Sequence, residues 1–471
     1  MRDTAFLDGS ATALRDLVRD RRLSAVEVVE ATLARVTERN PALNAVVTLN
    51  PRALDEARAV DAARARGGAP GVLCGLPVGI KDITPVAGLR TTYGSAVYAD
   101  HVATEDALVV TRLREAGAVI LGKTNCPEFA AGGNTFNDVF GRTRNPWDPS
   151  KSAGGSTGGG AAALAAGMIA LAEGTDLGGS LRIPASFCGV VGIRPSVGLV
   201  PTVPTDWLWD TLQVTGPMAR TAADVALALQ VMAGPSARTP ITAPFAGRDL
   251  PAAVAAGLPR GTRVRYAADP ARIGVDVELE GICRRAAFGL EASGHLVEEI
   301  DLDLAFARPA FLALRGLWFV AQMHPRFAHR ERFGANVAGN ITRGLETPLE
   351  AVGAAEQARN RLWRICEDLF AHTDLIVTPT MAVPPFPVEQ NYPETIAGTP
   401  METYIDWIAP TFIWSLTGLP VASVPCGRDA RGLPVGLQII GPPMGEERVL
   451  ALAGAIETLS PLGPQEPAGA R

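Results

Sequence analysis

From Leu73 onward, short apolar runs such as residues 76–80 and 118–121 alternate with stretches of helical spacing such as residues 106–116. Runs this short match strands buried on both faces, and a helix between two of them is the usual way to join parallel strands. The pattern therefore restricts the chain to an α/β fold around a largely buried sheet. A further strand-helix-strand unit is expected over residues 264–266, 282–293 and 296–300, and strand character returns at 374–377 and 437–440. The amino-terminal stretch reads as two helices. The first covers residues 11–20. The second is opened by a capping box between Ser24 and Glu27 and ended by Asn40-Pro41. A helix is expected at 222–232, and residues 305–372 read as mainly helical. The apolar run 161–172, interrupted by one glycine, is too short to span a bilayer and reads as a buried helix. The Pro-, Gly- and Ala-rich segment 460–471 is expected to be a disordered tail after a single domain over 1–459.

The 471 residues suffice for a core that needs no disulfide or metal. A net charge of -6 gives no electrostatic case for a nucleic-acid or acidic-membrane partner, and neither is expected. Six cysteines stand singly without a C-x-x-C pair, which argues against a zinc site or redox motif, and no metal or organic cofactor is expected. Residues 1–8 carry charges before any apolar run and lack a signal-peptide pattern, so a cytoplasmic, reduced location is the expectation. Arginine has almost displaced lysine: of 43 basic residues only Lys81, Lys123 and Lys151 are lysines. A buried ammonium can lose its proton and a guanidinium effectively cannot, so each surviving lysine is a candidate base.

Two glycine-rich loops each place a serine after paired glycines: residues 153–159 (AGGSTGG) contain Ser156, and residues 174–184 (GTDLGGSLRIP) contain Ser180. Glycine lets backbone N–H groups converge on one point, and N–H groups beside a hydroxyl are what acyl transfer needs for its oxyanion. Lys81 lies in VGIKD among apolar neighbours, where burial should lower its pKa from about 10.4 toward neutrality. Other readings of the same residues exist. Residues 154–158 also satisfy G-x-S-x-G, the nucleophile elbow of α/β-hydrolases, which would make Ser156 the nucleophile and require a downstream histidine such as His295, His324, His329 or His372. A phosphate loop would need a lysine after the glycines, which is absent. Lys123 reads as a buried structural residue, Lys151 as a solvated one, and Cys126 and Cys188 as small core residues.

The spacing of VGIKD, GGSTGG and GTDLGGSLRIPA, together with GKTNCPEF, NPWD, GPMART, LIVTPT and GLPVGLQIIG, closely resembles the amidase signature family over nearly the whole chain. The resemblance implies that family's fold, a mixed central β-sheet sandwiched between layers of α-helices. It implies Ser180 as nucleophile, Ser156 as the bridging serine after a cis peptide bond, and Lys81 as base. Backbone N–H groups of Leu177, Gly178, Gly179 and Ser180 would form the oxyanion hole, with Thr175, Asp176 and Arg182 holding the loop. The implied reaction is cleavage of amide-like C–N bonds through an acyl-enzyme, with carbamates and esters as further substrates. A homodimer is also implied, and the family's A-type amidotransferase subunits supply an alternative in which activity depends on partner subunits. Thr157, Leu177 and Ser415 depart from the residues usual at their positions. Residues 305–410 resemble the family least. In and beside them lie Phe311, Trp318, Phe319, Met323, Phe327, Tyr404, Trp407, Phe412 and Trp414, with Trp207 and Trp209 on a loop. These aromatics favour an aryl or hydrophobic acyl substrate over a small charged one.

Overall fold

The computed structural model describes residues 4–68 and 71–462, so residues 463–471 of the expected disordered tail lie outside the described residues. Eleven strands form one mixed sheet: β1 (Val46–Leu49), β2 (Pro77–Lys81), β3 (Val119–Thr124), β4 (Leu171–Asp176), β5 (Val191–Arg194), β6 (Val214–Ala219), β7 (Arg263–Tyr266), β8 (Leu296–Glu299), β9 (Leu375–Pro379), β10 (Val421–Arg428) and β11 (Pro434–Ile440). Across the sheet they run β1-β3-β2-β4-β6-β5-β10-β11-β9-β7-β8. β2 is parallel to both β3 and β4, the middle of the sheet from β4 to β9 is antiparallel, and β9, β7 and β8 are parallel again.

The inner strands β2, β3 and β4 are buried at every position, whereas the edge strand β8 is mostly exposed. Successive side chains enter opposite layers, as strand geometry requires. In β9, Leu375 and Val377 join one hydrophobic core while Ile376 joins the other. The first core is roofed by the helices Ala11–Arg19, Ala25–Leu43, Ala222–Met232 and Glu446–Leu459. The second is roofed by Ala307–Met323, Ala335–Glu346 and Leu349–Phe370. The expected helical character of residues 305–372 is thus observed, as is the sheet between helical layers.

Two sequence expectations fail. The second helix does not stop at Asn40-Pro41 but runs through Pro41 to Leu43, because that proline sits in the last turn, where little ladder remains to be lost. The stop is Asn44 in the left-handed region (φ 51), and the Asn40 side chain binds the amides of Ala45 and Val46 as the chain leaves. The run 161–172 is not one helix either. The helix Gly158–Ala165 ends before Gly167 (φ 66), and the remainder becomes the start of β4. An unbroken apolar run has no period from which a buried helix and a buried strand can be told apart.

Candidate active site

Parallel pairing of β2 with β4 sets the site. It places Lys81, the last residue of β2, beside Thr175 near the carboxyl end of β4. From there Lys81 Nζ donates to Ser156 Oγ at 2.7 Å and to Thr175 Oγ1 at 2.9 Å. Ser156 precedes the helix Gly158–Ala165, and the Gly155-Ser156 peptide bond is cis. Ser180 follows β4 in the turn that leads into the helix Arg182–Cys188. Its carbonyl accepts a bond from Thr157 N–H at 3.1 Å, which ties the two serine loops together. Ser156 and Ser180 open on one cavity, walled by Phe129, Leu177, Gln213, Arg315, Trp318 and Phe319.

Lys81 is fully buried. Burial lowers its pKa to about 8 against the opposing charges of Cys126, Glu173 and Asp176. Cys126 is itself pushed up to about 12 by burial, so it is a neutral thiol wherever Lys81 titrates, and the two carboxylates are what favour the ammonium. Glu173 is held in place by Thr84 Oγ1 at 2.9 Å and by the backbone N–H of Lys81 at 3.1 Å. The buried Lys123 does not reach the serines. Its Nζ binds the Thr84 carbonyl and, at 3.2 Å, Thr91 Oγ1. Lys151 is half-buried in a loop, with no hydrogen bond to Lys81, Ser156 or Ser180 among the described residues, and Cys126 and Cys188 are buried, with thiol pKa values raised by burial.

Asp176 organises the loop that carries Ser180. Its carboxylate accepts from Gly179 N–H at 2.9 Å, Leu181 N–H at 3.1 Å and Arg182 at 2.9 and 3.1 Å, and Arg194 approaches to 3.6 Å. Burial would raise its pKa, but Arg182, Arg194 and the amides outweigh it and hold the group down at about 2. Arg182 continues outward to the Thr411 carbonyl at 2.7 Å, Gln438 Oε1 at 2.6 Å and Ser415 Oγ at 2.7 Å. Ser415, one of the residues unusual for its position, is therefore an acceptor that completes this shell. At Gly179 the backbone has φ 129, and a Cβ there would lie 2.2 Å from Thr411 Oγ1, so only glycine fits.

One predicted role needs correction. The N–H of Gly179 is already committed to Asp176 Oδ1, so it is not free to meet an oxyanion. Among the described residues no acceptor engages the N–H groups of Leu177, Gly178 or Ser180, and Ser180 Oγ makes no hydrogen bond. Thr411, Gln438 and Arg194 were not singled out as support residues by sequence. Gln438 lies inside GLPVGLQIIG, so its motif was visible although its role was not. Arg315, from a helix 135 residues after Ser180 (315 − 180), gave no signal at all.

The nucleophile-elbow reading of Ser156 fails on the same geometry. Ser156 Oγ is met by a lysine ammonium, and among the described residues no histidine is bonded to either serine. A separate hollow of about 630 Å³ between Asp8, Arg39, Trp147 and Glu457 is lined by none of the predicted residues.

The chain matches the amidase family over residues 27–450 and belongs to it. It is 36% identical to an acylamidase of Rhodococcus erythropolis, with 98% of this chain and 97% of that one aligned. It is also 36% identical to a glutamyl-tRNA(Gln) amidotransferase subunit of Moorella thermoacetica, over 95% and 96% of the two chains. The crystal structure of a bacterial aryl acylamidase of the amidase signature enzymes superposes with a TM-score of 0.90 at 29% identity, covering 96% of each chain. The chain is accordingly an amidase-signature hydrolase of amide-type C–N bonds. Among the described residues no helix is long and apolar enough to cross a membrane.

Proposed function

We propose that the protein hydrolyses amides of aryl or hydrophobic acyl groups, and the related carbamates and esters, with Ser180 as nucleophile, Ser156 as proton relay and Lys81 as base. The observation that carries this reading is the 2.7 Å contact of a buried lysine with Ser156, on a cavity that Ser180 shares and aromatic side chains wall. A lysine with a pKa of about 8 holds a useful neutral fraction near pH 7. Neutral Lys81 takes the Ser156 proton as Ser156 takes that of Ser180. This step requires the free Ser180 hydroxyl to turn toward Ser156 once substrate is bound. Attack on the carbonyl carbon forms an oxyanion that faces the open N–H groups of Leu177, Gly178 and Ser180. The proton then returns through Ser156 to the leaving nitrogen, and water repeats the sequence on the acyl-enzyme. Amide, carbamate and ester pass through the same oxyanion, so one site serves all three.

The wall of Phe129, Trp318 and Phe319 supports an apolar or aryl body for the substrate, in keeping with the aryl acylamidase neighbour. Six unpaired cysteines support a cytoplasmic location, and a homodimer rests on the family resemblance alone. A second reading, a partner-dependent amidotransferase component, is favoured by the identity to such proteins.

The test is turnover of matched aryl amide, carbamate and ester by the purified chain, beside Ser180→Ala and Lys81→Ala. The amide or carbamate should be cleaved, with kcat falling by about 10⁴-fold or more in both variants. An inert wild type would point to the partner-dependent reading. An active Ser180→Ala would remove Ser180 as nucleophile.

A further inference from the structure

Four arginines are buried among the described residues: Arg35, Arg182, Arg194 and Arg315. Three face a carboxylate: Arg35 faces Asp8 at 2.5 Å, and Arg182 and Arg194 face Asp176 at 2.9 and 3.6 Å. Arg315, only 6% exposed, forms no ion pair among the described residues. Its Nε donates to Asn340 Oδ1 at 3.1 Å and its Nη2 to the Tyr404 hydroxyl at 2.7 Å, both neutral acceptors, and Nη1 has no hydrogen bond. The guanidinium lies against the rings of Phe319 and Tyr404, 4.9 and 5.7 Å from their centroids, which fixes its plane. The cavity it lines is the one that holds Ser156 and Ser180. Gln213, on the same wall, also has a side-chain amide without a hydrogen bond among the described residues.

A buried guanidinium with no counter-ion is costly to keep, and a planar fork with one free edge is the group best suited to take a carboxylate. We propose that Arg315 is the anion anchor of the substrate site. The preferred substrates would then be amides with an apolar or aryl body that also carry a carboxylate, which neutralises Arg315 when bound. This proposal rests on the reading of the same cavity as the acyl-transfer site, and it narrows the substrate class from hydrophobic amides to acidic ones. Specificity should be steep, because a neutral analogue leaves the buried charge unpaired.

The experiment compares three anilide substrates that share a four-carbon acyl chain. They are a neutral butyryl anilide, the succinyl mono-anilide with its carboxylate on the acyl side, and butyryl-4-aminobenzoate with its carboxylate on the amine side. Wild type should favour one of the two acids over the neutral anilide by at least about tenfold in kcat/KM, mainly through KM. Arg315→Gln should abolish that preference, with kcat/KM falling at least about tenfold more on the preferred acid than on the neutral anilide. Arg315→Lys, which keeps the charge but loses the fork, should fall between. Equal activity of wild type on acid and neutral anilides would overturn the proposal, as would an equal loss on both in Arg315→Gln, which marks a purely structural arginine. Calorimetric binding of the preferred acid to Ser180→Ala, with and without Arg315→Gln, separates the two readings, since binding persists even if the catalytic assignment is wrong. Equal affinity in that pair also counts against the anchor.

Discussion

The frame built from β2, β4 and the two serine loops contrasts with the helical wall of residues 307–370 that closes over it. In the frame, polar groups are buried and almost fully paired: Asp176 alone accepts four bonds, and Arg182 donates to five acceptor atoms. In the wall the buried surface is mostly apolar and aromatic, and Arg315, its one buried arginine among the described residues, meets only the neutral acceptors Asn340 and Tyr404. A site assembled this way separates chemistry from choice. The frame must hold donors and a base within tenths of an ångström, which fixes residue types at fixed spacings, whereas the wall must only fill space around whichever substrate is used.

If that division holds, substitutions in the frame depress all substrates alike, and substitutions in the wall reorder them. The largest effect is expected at Asp176. Asp176→Ala leaves Arg182 and Arg194 buried without their shared carboxylate and releases the Gly179 N–H, at a cost of about 3 to 5 kcal/mol in stability. Denaturant melts should show the loss, and kcat should fall by roughly 10²-fold on amide, carbamate and ester together. A substrate-dependent fall would erase the proposed boundary between the two regions.

A smaller, opposite pattern is expected in the wall. Phe319 is 1% exposed, meets Trp318 edge-on and lines the cavity that Ser156 and Ser180 share. Phe319→Leu removes part of that ring and should cost roughly 1 to 2 kcal/mol in stability. It should raise KM for aryl acyl substrates by about fivefold to tenfold while leaving short aliphatic ones nearly unchanged. The readout is the ratio of kcat/KM values, and a uniform fall would assign Phe319 to the frame.

The same contrast explains what the sequence could disclose. That Lys81, Ser156, Ser180, Asp176 and Arg182 come together was legible because each lies in a short segment whose glycines and spacing are dictated by one geometry. The alternation of short apolar runs with helical segments disclosed the α/β fold, because buried strands and the helices that join them differ in length and period. Pro41 and the run 161–172 misled because a last-turn proline breaks no ladder and an unbroken apolar run carries no period. The engagement of Gly179 with Asp176 depends on side-chain direction within a turn, which residue type does not specify. Arg315, Asn340 and Tyr404 meet from three separate segments, and nothing local in any of them records the others.

The smallest expected effect sharpens the account of the base. Thr175 Oγ1 is the second hydrogen-bond acceptor of Lys81 Nζ, at 2.9 Å, and it favours the ammonium over the neutral amine. As the proposed base, Lys81 must be neutral to act, so activity should rise with pH and level off above about 8, falling tenfold per unit well below that point. Thr175→Val removes the acceptor without changing shape much. The plateau rate should drop about fivefold, near 1 kcal/mol, because the amine is less well aimed at Ser156. The midpoint should move to lower pH, because the ammonium has lost a partner while burial continues to disfavour it. A pH–rate profile of the pair on one ester and one amide reads both quantities. A midpoint that stays in place, or moves upward, would show that Glu173 and Asp176 rather than Thr175 set the charge of the lysine.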